Sequence, residues 1–192
     1  CIKIAHLDTS HFLFNNFAAY ERALALQNRR SIANASIRII EHNLAIEHAD
    51  YGAVLGNQAM IHTYSYAKKP LFPIPVPTPE TYESPENKSF DDCKNNFLWF
   101  GSSGFVHKGL DLVLEAFVEM PDYHLTICGP VDKESDFVRD FYNELYQTPN
   151  IHTVGWVDVS SSRFIEIMSS CVALIYPSCA EGQAGSVITC LQ

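Results

Sequence analysis

Residues 96–192 alternate short apolar runs with amphipathic stretches, and this alternation constrains the fold more than any other feature of the chain. Segments 96–101 (NFLWFG), 123–129 (YHLTICG), 151–154 and 172–176 (VALIY) read as strands. Between them, 108–118 places Leu110, Leu112, Val113, Leu114, Ala116 and Phe117 at three- and four-residue spacings, which predicts a helix. Segment 133–146 carries Phe137, Val138, Phe141 and Leu145 on one side and predicts a second helix. Segment 160–169 predicts a third, opened by serines that suit an N-cap, and 187–191 begins a fourth. The unbroken VALIY run suits a strand covered on both faces. Strand and helix in this rhythm give an α/β fold: a Rossmann-like parallel sheet flanked by helices and joined by right-handed crossovers. Ligands of such sheets bind beyond the carboxyl ends of the strands.

The first half is less regular. Residues 2–7 and 51–56 (YGAVLG) read as strands, and 14–26 and 31–48 as helices. Pro70, Pro73, Pro75, Pro77, Pro79 and Pro85 then exclude helix and favour an extended connector. Segment 83–96 is polar and reads as a surface linker. The expected organisation is a partial second α/β domain with its connector over 1–85, and a truncated domain over 86–192. The chain opens on Cys1 and ends on an apolar ITCLQ, so both ends read as cut from a longer protein.

With 47% apolar and 18% charged residues the chain has the composition of a globular protein. A net charge of −9 disfavours a nucleic-acid partner but leaves room for a small phosphate compound, which needs only a local nest and one or two cations. No run approaches the roughly 18 apolar residues of a membrane span, and the start lacks the pattern of a signal peptide. Peripheral attachment to a membrane surface is left open by this reading. Six cysteines without a C-x-x-C pair read as buried free thiols of a cytoplasmic protein. Eight histidines show no ligand spacing, and no metal or cofactor is expected.

Three loops at strand ends have unusual compositions. Gly101-Ser102-Ser103-Gly104-Phe105-Val106-His107-Lys108-Gly109 joins small residues to one cation. It suits an anion at a helix start, or it is an ordinary turn with a solvated lysine. It is neither a dinucleotide fingerprint nor a P-loop. Cys128-Gly129-Pro130 ends a strand and turns the chain. In 177–186 (PSCAEGQAGS), Glu181 is an isolated carboxylate among small residues. It either accepts from sugar hydroxyls or caps the following helix.

At these loops the chain resembles the group 1 (family 4-like) retaining glycosyltransferases of GT-B fold. The likeness rests on FLWFGSSGFVHKGLDLVLEAF, YHLTICGP, NIHTVGWVD with SSSRFIEIMSSC, and VALIYPSCAEGQAGSVITCLQ, and less on HADYGAVLGNQAMIHTY and LFPIPVP. The resemblance implies a fragment holding most of the C-terminal donor-binding domain. It implies metal-independent transfer, with retention, from a nucleotide-diphosphate sugar to a sugar or glycan acceptor. Lys108 matches the family's diphosphate-gripping lysine, whereas Ser102 stands where the family has an arginine. Glu181 matches the catalytic-loop glutamate that contacts the transferred sugar. Gly182, Gln183, Ala184, Gly185 and Ser186 match the loop whose amides meet phosphate and sugar. Thr189 replaces a second, ribose-binding glutamate. Gly129 would border the donor, and the backbone at Val157 would lie near the base. An inactive nucleotide-sugar-binding or scaffold module and a sugar-nucleotide epimerase are the competing expectations.

Overall fold

The structure is a computed structural model that describes residues 1–33, 36–76 and 88–191. The first unit contains β1 (Ile4–Leu7), α1 (Phe12–Arg30), β2 (Tyr51–Leu55), α2 (Gln58–Thr63) and β3 (Leu71–Ile74). The second contains α3 (Phe90–Cys93), β4 (Asn96–Phe100), α4 (Leu110–Val118), β5 (His124–Cys128), α5 (Ser135–Asp140), α6 (Tyr142–Tyr146), β6 (Ile151–Gly155), α7 (Ser162–Ser170), β7 (Ala173–Leu174) and α8 (Gly185–Cys190). Two parallel sheets result, ordered β1-β2-β3 and β6-β5-β4-β7. Pro73 pairs opposite Val54 on β3, an edge strand, where a missing amide is tolerated. The domain boundary expected near residue 85 lies outside the described residues.

The main core belongs to the second sheet. Trp99, Phe105, Leu110, Leu114, Phe117, Leu125, Ile127, Phe137 and Phe141 are buried together, and Leu26 of α1 joins them. The long helix α1 therefore reaches from the first unit into the second. Arg29 pairs with Asp111 at 2.7 Å and Glu115 at 3.0 Å, and Arg30 pairs with Glu144 at 2.6 Å. These two arginines occupy the last turn of α1, where cations also oppose the helix dipole. The smaller core of the first unit gathers Leu7, Ile46, Val54, Met60 and Tyr64.

Four expectations are corrected. The helix expected over 31–48 is absent from its described part: Ser31 ends α1 in a left-handed conformation, and only Ala45–His48 forms a short 3-10 turn. Other side chains take the backbone groups such a helix would pair internally. Ser36 donates its amide to Asp136 at 2.9 Å, and Asn16 bridges both the N–H and the C=O of Ile40 at 2.9 and 3.0 Å. The helix expected over 133–146 splits into α5 and α6 at Phe141, whose fully buried ring stacks on Phe137 at 4.7 Å.

The described part of the expected linker, from residue 88, holds α3, started by the Ser89 hydroxyl and the carboxylates Asp91 and Asp92, with Cys93 buried. Finally, VALIY is not covered on both faces: only Ala173–Leu174 forms a strand, β7, paired with β4, and Ala173 is exposed. An unbroken apolar run records low polarity, but not which neighbours cover it. The six cysteines are free, and Cys93, Cys128 and Cys171 are buried.

Candidate functional site

Strand order reverses at β4. The chain steps to β5 and β6 on one side, then returns to place β7 on the other. The carboxyl ends of β4 and β7 thus flank a topological switch point, where open parallel sheets bind ligands. A cavity of about 600 Å³ opens there. Every strand of the sheet contributes to its wall: Gly101, Ser102, Ser103 and Lys108 follow β4, Gly129 and Pro130 follow β5, Trp156, Val157, Asp158 and Val159 follow β6, and Tyr176, Glu181, Gly185 and Ser186 follow β7. Lys133 and, from the first unit, Arg38 complete it.

Lys108 is only 4% exposed, and its ammonium donates to the Ser102 hydroxyl at 2.6 Å. Burial pushes its pKa down to about 8. The positive charge of Arg38 acts in the same direction, and Glu181 and Glu134 oppose it. No carboxylate forms an ion pair with Lys108 among the described residues. The loop around it is fixed by Glu134, whose carboxylate accepts the amides of Gly104 and Phe105. Gly129 is required by close approach, because a Cβ there would collide with the Gly101 carbonyl where β4 and β5 end side by side. The start of α4 does not line the cavity; Gly109 packs against Pro177 instead.

Glu181 is held from behind. Its carboxylate accepts from the Tyr176 hydroxyl at 3.0 Å and the Ser178 hydroxyl at 2.9 Å. It does not cap α8, whose N-cap residue Ala184 has no side-chain cap bond. Burial lowers the pKa of His107, so the imidazole is neutral near pH 7. Its Nε2–H donates to the Ala180 carbonyl at 2.7 Å, which leaves Nδ1 facing the Cys179 thiol at 3.4 Å. His107 thereby fastens the loop after β7 to the loop after β4.

A second cavity, about 560 Å³, adjoins the first at Arg38 and Glu181 and is strongly polar. Asp8, Thr9, Asn15, Glu41, His42 and Tyr64 of the first unit face His107, Gly182 and Gln183 of the second across it. Arg38 and Glu181 border both cavities. A third space of about 820 Å³, between the start of α1 and α2, is lined largely by apolar side chains such as Phe12, Leu13, Leu44 and Met60.

Ser102, Lys108, Gly129, Val157, Glu181, Gly185 and Ser186 are thus brought together in one cavity. Gly182 and Gln183 fall in the second: Gly182 packs on the backbone of Asp8 and Thr9, and the Gln183 side chain accepts the Val76 amide at 2.8 Å. Ala184 and Thr189 border neither. Sequence reasoning missed Arg38, His107, Lys133, Trp156 and Tyr176. His107 and Tyr176 sit beside recognised loops and could have been found there, but nothing local marks Arg38. Among the described residues no group of His, Cys, Asp and Glu is arranged to hold a metal ion, and no helix is long and apolar enough to cross a membrane.

The two sheets, their flanking helices and the cavity at the strand ends define the Rossmann-like α/β class seen in GT-B glycosyltransferases. The sequence matches no family model, and no curated protein matches it. In fold it is similar to TarM, with a TM-score of 0.58 and 15% identity over 100% of this chain and 34% of that one. It is also similar to the pneumococcal O-GlcNAc transferase GtfA in complex with UDP and GlcNAc, with a TM-score of 0.55 and 17% identity over 98% of this chain and 35% of that one. Anabaena HepE in complex with UDP and glucose gives a TM-score of 0.55 and 13% identity over 96% of this chain and 48% of that one. The chain spans a third to a half of the length of these structures.

Proposed function

We propose that this chain forms the donor side of a glycosyltransferase that moves a sugar from a nucleotide-diphosphate donor to a sugar or glycan acceptor, with retention and without a metal ion. The observation that carries the reading is Lys108, a buried ammonium without an ion-pair partner, at the switch point between β4 and β7. A diphosphate leaving group gathers negative charge as the glycosidic bond breaks. A pre-placed cation in a dry site stabilises that charge more than water does. The neighbours GtfA and HepE were crystallised with UDP and a sugar, which supports a nucleotide sugar as the ligand of this fold.

In this reading Lys108 and Ser102 hold the diphosphate, with Gly185 and Ser186 on the opposite wall. The base lies by Val157, beside the exposed indole of Trp156. Glu181 accepts hydroxyls of the transferred sugar, its carboxylate aimed by Tyr176 and Ser178. The acceptor enters through the adjoining polar cavity, with Gly182 and Gln183 at its rim. A second reading, a nucleotide-sugar-binding module without turnover, is favoured by Ser102 and Thr189, which stand where the resembled family has an arginine and a second glutamate.

Calorimetry with UDP-, GDP- and ADP-sugars, followed by product analysis, tests these readings. The transferase reading expects one donor to bind and its sugar to reappear on an acceptor with unchanged anomeric configuration. Binding without transfer leaves the binding module, a sugar epimerised on the nucleotide makes the protein an epimerase, and no binding removes the donor site altogether.

A further inference from the structure

Arg38 is an exposed arginine on the irregular segment that follows α1. Two anchors fix that segment on either side of it. Two residues before, Ser36 gives its amide and hydroxyl to Asp136 of α5 at 2.9 and 2.8 Å. Two residues after, the backbone of Ile40 is clasped by Asn16 of α1. The anchors hold Arg38 against the loop after β4, where its Cδ lies 3.0 Å from the place a Cβ on Gly104 would occupy. Its side chain lines the same cavity as Lys108 and Ser102. No hydrogen bond or ion pair engages the guanidinium among the described residues.

Two cations facing one cavity repel each other, and the lowered pKa of Lys108 reports this in part. The arrangement costs free energy in the empty protein and is relieved by an anion between them. A guanidinium offers a planar fork that matches phosphate oxygens, whereas Lys108 acts as a point charge. In a chain of net charge −9, Lys108, Lys133 and Arg38 are concentrated at this cavity.

We propose that Arg38 is a diphosphate-binding residue contributed by the first unit, so that the anion is gripped by both halves of the chain. This deepens, and rests on, the donor-site reading above.

The test titrates wild type, Arg38→Gln and Arg38→Lys with UDP, GDP and ADP and with the matching monophosphates UMP, GMP and AMP, read by calorimetry. With whichever diphosphate binds, Arg38→Gln is expected to weaken affinity ten- to hundredfold. Arg38→Lys should recover part of the loss, and the matching monophosphate should change less than threefold. The unliganded melting temperature of Arg38→Gln should not fall and should rise slightly, since the guanidinium has no partner to lose and its repulsion of Lys108 is removed. Equal diphosphate affinity in wild type and Arg38→Gln overturns this inference alone, as does an equal loss for mono- and diphosphate. Absence of nucleotide binding to wild type overturns the donor-site reading and this inference with it.

Discussion

The two units use one architecture to different ends. In the second, the loops at the strand ends converge on a cavity of about 600 Å³ that holds Lys108, Lys133 and Glu181. The first has a larger space, about 820 Å³, but its wall is mainly apolar and its core is small. The comparison separates volume from charge: the larger space is mainly apolar, and the charged side chains converge at the strand-order reversal. It also shows unequal self-sufficiency. Helix α1 leaves Leu13, Phe14, Phe17, Tyr20 and Leu24 exposed on the first unit while Leu26 is fully buried in the core of the second.

The largest expected effect tests that shared helix. Leu26→Ala should destabilise the protein by about 3 kcal/mol, as for other buried leucines. Hydrogen exchange should locate the loss in β4 and β5 of the second unit. A loss confined to β1 and β2 would break the comparison.

Next comes the charge in the cavity. Lys108→Met keeps the stem and removes the ammonium. It should weaken nucleoside-diphosphate binding by about 1.5–3 kcal/mol, the range of a charged hydrogen bond. Calorimetry checks it, and unchanged affinity would place the anion elsewhere.

The pH dependence sharpens the same point, with opposite signs for binding and stability. Lys108 loses its proton near pH 8 in the empty protein, and a bound anion raises that value. Affinity for UDP should therefore be flat between about pH 7, where the terminal phosphate is fully ionised, and pH 8, and fall above it, by at most roughly tenfold per unit. Stability of the empty protein should change the other way. Between about pH 8 and the ordinary lysine range the unfolded chain binds more protons at this position, so the contribution of Lys108 to stability rises with pH. Titrations from pH 6 to 9.5, with and without ligand, measure both.

The smallest effect lies on the exposed face of α1. Phe17 is 63% exposed, and Phe17→Ser should change stability by no more than about 0.5 kcal/mol. A larger loss in denaturant melts would mean that this face is covered in solution.

The sequence made the strands of the second unit legible because NFLWFG and YHLTICG are apolar runs closed by glycine. The strand-end positions of Lys108 and Glu181 were legible because Lys108 is the one cation of the loop after NFLWF and Glu181 the one carboxylate of the loop after VALIY. The segment after α1 was not. Its isoleucines are compatible with a helix, but its fate is decided by Asn16 and Asp136, far away in the chain. Arg38 was hidden for the same reason, since its place beside Lys108 depends on those distant anchors. The exposure of Ala173 within VALIY was equally unreadable, because cover is a property of the assembled sheet.

The loop that bears Glu181 is seated on the other half of the molecule, with Gly182 pressed on the Asp8 and Thr9 backbone and Gln183 clasping the Val76 amide. This carboxylate is therefore geared to both sheets at once. Were either sheet to swing, the aim of Glu181 would turn with it, and the two cavities it borders would be re-registered in a single stroke.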